Sequence, residues 1–503
     1  MTASRAPTPM SLRDLLDGFA DPGPAGGIIV RGLALDSRRV RSGDAFVALD
    51  GAHVRGITFA PQASARGAAV ILADRAGTPA TAPGADSTGG PPLVHVDGLR
   101  AKLGAIAARF HGEPSQSLTV IAVTGTNGKT STVQFLAQAL TRLGRGAATI
   151  GTLGAGPYGA PAPTGCTTPD ALEVQALLAD FRAAGIAFVV MEVSSHALDQ
   201  RRVDAVRFDT AVFTNLTRDH LDYHGTMAAY GEAKERLFSW PGLACAVVNV
   251  DDPFGKELAS RLPRGVDRLR CGTRGGDIEI GAHGIVADTA GLAFDLATPW
   301  GHGRVATRLV GRFNVANALA VAACLGRQGF GFDAIAAAIA ALSPVTGRMT
   351  RLGGAGNEPL VVIDYAHTPD ALEQALTSLA DHRTGRLVCV FGCGGERDAG
   401  KRPEMGAIAA RLADEVIVTD DNPRGENGDT IVAGILAGIP RGARVTVERD
   451  RARAIARALA TAGPGDVVLV AGKGHEAYQE VAGERHPFDD VAVARDALEV
   501  RRC

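Results

Sequence analysis

Val123-Thr124-Gly125-Thr126-Asn127-Gly128-Lys129-Thr130 joins an apolar run, Leu118 to Val123, to a helical pattern, Ser131 to Leu140. A strand, a glycine-rich turn and a helix start aim unpaired backbone N–H groups at one point, which suits an anion. Gly125 and Gly128 let the backbone curl closely around phosphate oxygens, Lys129 supplies a cation, and the Thr130 hydroxyl is placed to reach Mg²⁺. The usual phosphate loop carries glycine where this chain has Val123, so an ordinary tight turn is the competing reading. The Gly-Lys-Thr ending between strand and helix favours ATP, with Gly125, Thr126, Asn127, Gly128, Lys129, Thr130 and Ser131 as its binding residues.

Outward from that loop, 503 residues are too many for one core and predict several domains. A hydrophobic content of 46%, a charged content of 21% and a net charge of −2 fit a globular protein without a nucleic-acid or anionic-membrane surface. No apolar run approaches a membrane span, and Met1 to Met10 lacks a signal peptide's apolar core, so the cytoplasm is expected. Cys166, Cys245, Cys271, Cys324, Cys389, Cys393 and Cys503 are scattered and never spaced C-x-x-C; they read as free thiols without a metal.

The chain predicts an α/β protein of three domains, residues 1–112, 113–345 and 346–503. The first carries short apolar strands such as Ala45 to Leu49 and Ala68 to Leu72, with Gly77 to Pro92 as a surface loop. The second alternates strands and helices after the phosphate loop, which predicts a mostly parallel sheet through Ala187–Glu192, Thr210–Thr214 and Ala244–Asn249. The third repeats the alternation through Leu360–Asp364, Leu387–Phe391, Glu415–Thr419 and Asp466–Val470. Loops at the carboxyl ends of those four strands (Tyr365–Pro369, Gly392–Gly395, Asp420–Arg424 and Gly472–Glu476) should share one site.

Among individual residues, Glu192 ends a strand and suits a hard cation. The segment Asp219-His220-Leu221-Asp222-Tyr223-His224 fits no zinc spacing, and by itself reads as a solvated loop. Lys234, on an amphipathic helix with acidic neighbours, reads by itself as a solvated lysine. Asn314 and Asn317 open an alanine-rich helix and read as helix caps.

Taken in order, Gly125–Thr130, Glu192-Val193-Ser194-Ser195-His196, the Asp219–Asp222 loop, the Lys234 helix, Gly311-Arg312-Phe313-Asn314 and Asp364-Tyr365-Ala366-His367 resemble the Mur ligases, ATP-dependent amino-acid ligases of peptidoglycan synthesis. The resemblance covers nearly the whole chain and is strongest to members that add the third residue of the stem peptide. It implies an N-terminal UDP-muramoyl domain, a central ATPase domain and a C-terminal Rossmann-like domain for the incoming amino acid. Leu35-Asp36-Ser37-Arg38 looks like the uridine-binding strand, with Leu35 and Ser37 as contacts. Thr167, Thr168, Ser194, Gln200 and Arg202 match muramoyl-dipeptide positions, and Cys166 stands where asparagine often sits.

By the same resemblance Lys234 is carbamylated by CO₂; Thr130 and Glu192 hold one Mg²⁺, and His220 with modified Lys234 a second. Lys129, His220 and Lys234 are the catalytic set, and Asn317, Arg348 and Asp364 match nucleotide contacts. Arg397, Asp421, Asn422, Pro423, Arg424, Gly472 and Glu476 match the amino-acid site. Asp-Asn-Pro-Arg marks members that add meso-diaminopimelate, a lysine with an extra distal carboxylate that a guanidinium pairs through two parallel hydrogen bonds. The expected substrates are UDP-muramoyl-dipeptide, ATP and meso-diaminopimelate, acted on by a monomer without nucleic acid or membrane. The alternatives are a lysine-adding relative, a folylpolyglutamate synthetase-like ligase and a non-catalytic nucleotide-binding protein.

Overall fold

A computed structural model describes residues 8–51, 54–75 and 90–502. Most of the Gly77–Pro92 segment, and Cys503, lie outside the described residues. The chain divides into two compact units, Met1–Arg270 and Cys271–Cys503.

Besides a short antiparallel strand pair, Met10–Ser11 with Ile29–Val30, the described residues of the first unit hold two larger sheets with separate cores. Gly32–Ala34, Asp44–Ala48, Val70–Ala73 and Leu93–His95 form a parallel sheet in chain order. Inward residues such as Ala45, Val47, Val70 and Leu72 pack on the helix Leu99–Phe110. The second sheet runs Gly154–Pro157, Ala147–Gly151, Phe188–Glu192, Thr119–Thr124, Thr210–Phe213, Cys245–Asn249 and is parallel apart from its first strand. Its strands are buried on both faces, and accordingly read as continuous apolar runs. Glu192 and the phosphate loop therefore leave neighbouring strands at the same edge, because Glu192 is in register with Val123.

The second unit begins with an antiparallel meander, Ile280–Asp288, Gly291–Thr298 and Gly301–Thr307. The alternation of strands and helices gave no hint of it, since its exposed positions carry few β-type side chains. A six-stranded sheet follows in the order Thr350–Gly353, Leu360–Asp364, Val467–Ala471, Leu387–Phe391, Glu415–Val418, Val445–Val447, parallel except for the first strand. Leu360, Val362, Leu387, Cys389 and Phe391 face one core, and Val361, Ile363, Val388 and Val390 the other. The period-two alternation thus serves two buried faces.

His382 is buried, accepts from the Gly311 N–H through Nε2 at 2.9 Å and meets the Asp288 carbonyl through Nδ1 at 2.7 Å. Those partners require a neutral ring with its proton on Nδ1. Burial pushes its pKa below the ordinary histidine value. The unfolded chain binds this proton more readily, so stability is full above the unfolded pKa and falls as pH drops below about 6.5. Thermal unfolding followed from pH 8 to pH 5 should show Tm falling through that window, with a shallower fall in His382→Phe. An identical pH dependence in the two proteins would refute this role.

Candidate active site

Gly125 has φ of 145° and Gly128 φ of 84°, and a Cβ on Gly125 would collide with the Thr214 hydroxyl. Both glycines are thus required by backbone geometry. Val123, the departure from the usual loop pattern, is fully buried in the strand Thr119–Thr124, so the turn starts after it. The helix Lys129–Arg142 starts at the loop. Lys129 Nζ folds back on the carbonyls of Gly125 and Thr126 at 2.9 and 2.8 Å.

The Thr130 hydroxyl donates to Glu192 Oε2 at 3.0 Å, and both residues are buried. Thr152 holds the same carboxylate by its N–H (2.8 Å to Oε1) and its hydroxyl (3.2 Å to Oε2). Thr152 was not singled out in the sequence; only its register opposite the Glu192 strand end places it.

Lys234 is not solvated: it is 1% exposed and donates to the Gly125 carbonyl at 2.8 Å. Burial, aided by the nearby Lys129 cation, pushes its pKa well below the ordinary lysine value. Tyr230 sits one helical turn earlier, with its ring 4.3 Å from Lys234 Nζ and its hydroxyl 3.2 Å from Thr126 Oγ1. The i, i+4 spacing of Tyr230 and Lys234 was a legible signal for that pairing. His220 occupies the left-handed region (φ 53°), and its ring lies 6.0 Å from Tyr230, 4.8 Å from His196 and 3.4 Å (Nε2) from Asp219. His220 and Lys234 thus both pack against Tyr230.

Thr168 donates to the Glu192 carbonyl at 2.8 Å and lies 3.4 Å from Ser194 Oγ. Arg202 binds the Thr168 carbonyl (2.9 Å) and Gln200 Oε1 (2.6 Å), and Thr167 meets Thr152 at 3.1 Å. A cavity of about 510 Å³ is lined by Leu35, Arg100, Cys166, Gln200 and Arg202 among others. Ser37 points elsewhere, donating to Gln62 Oε1 at 2.6 Å. Leu35 to Arg38 also differ from the expected strand: Gly32–Ala34 ends before them, and Asp36 caps the short turn Ser37–Arg39.

In the second unit the helix Phe313–Arg327 has Arg312 at its N-cap without a side-chain cap bond, so Asn314 and Asn317 are not caps. Both are buried inside the first turns, Asn314 donating to the Val310 carbonyl and Asn317 to Asn314 Oδ1. Asp364 accepts from the Met349 N–H, and burial raises its pKa against the pull of Arg348. Arg348 lies 5.1 Å from the Tyr365 ring, which also stacks on His475 at 5.0 Å.

The strand-end loops of this unit converge as expected. Gly472 donates to the Asp364 carbonyl, and a Cβ on Gly472 would collide with Asp421. Burial raises the Asp421 pKa, opposed by Arg451 and Lys473. Arg424 takes the left-handed conformation (φ 55°); its N–H and carbonyl bond to Glu480 and Ala482, and Nη1 donates to the Gly395 carbonyl at 2.9 Å. A Cβ on Gly394 would stand 2.9 Å from Arg424 Nη1 and 3.7 Å from Arg397 Cγ, so both arginines cross the same bare glycine. Pro423 packs its carbonyl against Gly395. Asn422 Nδ2 donates to Glu476 Oε2 at 2.8 Å, and the buried Lys473, absent from the expected set, joins them.

Three family models match: the Mur ligase family catalytic domain over residues 29–111, the Mur ligase middle domain over 123–325, and the Mur ligase glutamate ligase domain over 347–474. A UDP-N-acetylmuramoyl-L-alanyl-D-glutamate--2,6-diaminopimelate ligase of Xanthomonas campestris is 56% identical over 491 residues, 97% of each chain. The enzyme of that name from Xylella fastidiosa is 55% identical over 472 residues, 94% of each. A solved structure of a ligase with the same name matches at a TM-score of 0.75 and 35% identity, covering 99% of this chain and 100% of that one. A phosphate loop facing a strand-end glutamate, a buried lysine beneath it and near end-to-end similarity at this level agree, and the chain belongs to the Mur ligase family with its three-domain α/β fold.

Proposed function

We propose that this chain joins meso-diaminopimelate to UDP-N-acetylmuramoyl-L-alanyl-D-glutamate at the expense of ATP, within peptidoglycan synthesis. The observation that carries the reading is the Asp421–Arg424 loop. A mostly buried guanidinium there stands over a bare glycine, beside an asparagine–glutamate pair suited to an amino group. The proposed division is 1–112 for the UDP-muramoyl substrate, 113–345 for ATP and 346–503 for the amino acid. Leu35, Ser37, Thr167, Thr168, Ser194, Gln200 and Arg202 are the proposed contacts to the UDP-muramoyl-dipeptide. Gly125 to Ser131, Asn317, Arg348 and Asp364 are those to ATP.

Among the described residues no three His, Cys, Asp or Glu side chains gather into a protein-only metal cage. Mg²⁺ needs no such cage, since it keeps waters and substrate phosphates and takes one or two protein ligands. Glu192, buried and already bonded to the Thr130 hydroxyl, fits that demand. Lys234 fits carbamylation, because its depressed pKa leaves a neutral amine to take up CO₂. Thr130 and Glu192 would hold one ion and His220 with modified Lys234 another, and such ions neutralise charge on phosphate oxygens.

The D-glutamyl carboxylate attacks the γ-phosphorus and ADP leaves, giving an acyl phosphate. The amine of diaminopimelate then attacks the acyl carbon, an N–C bond forms, the nitrogen gives up a proton to water, and phosphate departs with the C–O bond electrons. Lys129 leaves its loop carbonyls for the β/γ-phosphates, and the loop's backbone cradles them. Lys129→Ala should keep the fold and lower kcat by roughly 10²- to 10³-fold; a folded variant with near-normal turnover would refute the phosphate-loop assignment. The reading as a whole is tested by ADP release with UDP-muramoyl-dipeptide and each candidate amino acid in turn. Release that depends on diaminopimelate supports it, and release that depends on lysine instead overturns it.

A further inference from the structure

Lys473 has no exposed surface at all, yet it carries an ammonium group. A lone buried charge is costly, so its partners reveal what it is for. Nζ donates to Asn422 Oδ1 at 3.0 Å and to Glu476 Oε2 at 3.2 Å, and lies 5.5 Å from the Tyr478 ring centre. Asn422 Oδ1 also accepts from the Glu480 N–H at 2.9 Å. With two donors on Oδ1 the amide cannot flip without facing N–H against N–H. Its Nδ2 must therefore face Glu476, where it donates at 2.8 Å. Nδ2 keeps a second proton, and both of these bonds fall on Oε2 of Glu476, leaving Oε1 for another donor.

We propose that Lys473 is a positioning residue for the incoming amino acid: it locks the Asn422 amide and the Glu476 carboxylate so that one N–H and one carboxylate oxygen face an α-amino-acid group. A zwitterionic end, ammonium beside carboxylate, is the ligand chemistry that such a donor and acceptor side by side would take. Gly472 and Asp421 flank the triad, since a Cβ on Gly472 would strike Asp421. The backbone approaches too closely there for a side chain, and the group is recognised by fixed polar atoms. This inference rests on the ligase reading above.

The test measures KM for diaminopimelate, for ATP and for UDP-muramoyl-dipeptide in wild type, Lys473→Met, Glu476→Gln and the double variant. Loss of a charge-assisted hydrogen-bond network predicts KM for diaminopimelate about 10- to 100-fold higher in Lys473→Met. KM for the other two substrates should change less than about twofold, and acyl-phosphate formation without amino acid, trapped by borohydride, should persist. Because Lys473 acts through Glu476, the double variant should match Glu476→Gln within about twofold rather than multiply the two losses. The double variant also removes both charges, so it remains readable where Lys473→Met alone fails to fold. Independent, multiplying effects, or equal rises in all three KM values, would overturn the positioning role while leaving the ligase reading intact. A wild-type protein indifferent to diaminopimelate would overturn both.

Discussion

Arg424→Ala is expected to lower kcat/KM for meso-diaminopimelate by roughly 10³- to 10⁴-fold while changing the residual use of lysine far less. The side chain is 18% exposed, so its charge is largely withdrawn from water. Its present partners are the Gly395 carbonyl and, at 3.8 Å, Glu480. A distal carboxylate adds the full counter-charge and two parallel hydrogen bonds. Lysine lacks that carboxylate and would leave the largely buried guanidinium short of a partner. Alanine tolerates the left-handed backbone at 424 about as poorly as arginine, so the substitution isolates the side chain. Arg424→Lys should rescue little, because a point ammonium lacks the planar fork. The measurement is kcat/KM for both amino acids in wild type and variant. A preference for lysine in the wild type, or a ratio unmoved by the substitution, would overturn the diaminopimelate assignment.

Lys234→Ala should lose turnover by about 10³-fold, at the upper end of what one electrostatic group at a reacting phosphate contributes. Burial beneath the phosphate loop and the neighbouring Lys129 disfavour a charged amine at this position. In the proposed carbamylation the neutral amine would attack CO₂, form an N–C bond and release a proton, which turns a buried neutral group into an anion. Formate or acetate added to Lys234→Ala should restore part of the activity by supplying the missing carboxylate. Lys234→Glu keeps a carboxylate on a shorter arm and should fall between the two. A well-ordered structure of active enzyme with an unmodified Lys234 would remove the basis for this expectation. So would a failure of small carboxylates to rescue a folded Lys234→Ala.

Within unit 1 the strand–turn–helix at Leu118–Leu140 was legible because its signals are local: an apolar run, two glycines and a helical period. The structure moves its boundaries by one or two residues, to Thr119–Thr124 and Lys129–Arg142. The convergence of the four loops in the second unit was equally readable, since parallel strands deliver their carboxyl ends to one edge. The meander Ile280–Thr307 is harder to read because, although Leu292, Phe294 and Leu296 alternate into the core, the outward positions carry Gly, Ala, Asp, His and Arg more than β-type side chains.

The sequence by itself determined the fold class, the phosphate loop and, through the ordered motifs, the family. Those depend on period, spacing and backbone geometry, which each segment carries with it. Tertiary structure alone decided the burial of Lys234 and Lys473. A lysine's state depends on what other strands and loops lay over it, and neither helix nor loop composition encodes that covering. On its own helix Lys234 resembles any solvated lysine. Under Gly125 and beside Tyr230 it is a nearly water-free amine. Lys473 likewise gains its meaning only when Asn422, 51 residues away in the chain, is brought to hydrogen-bonding distance.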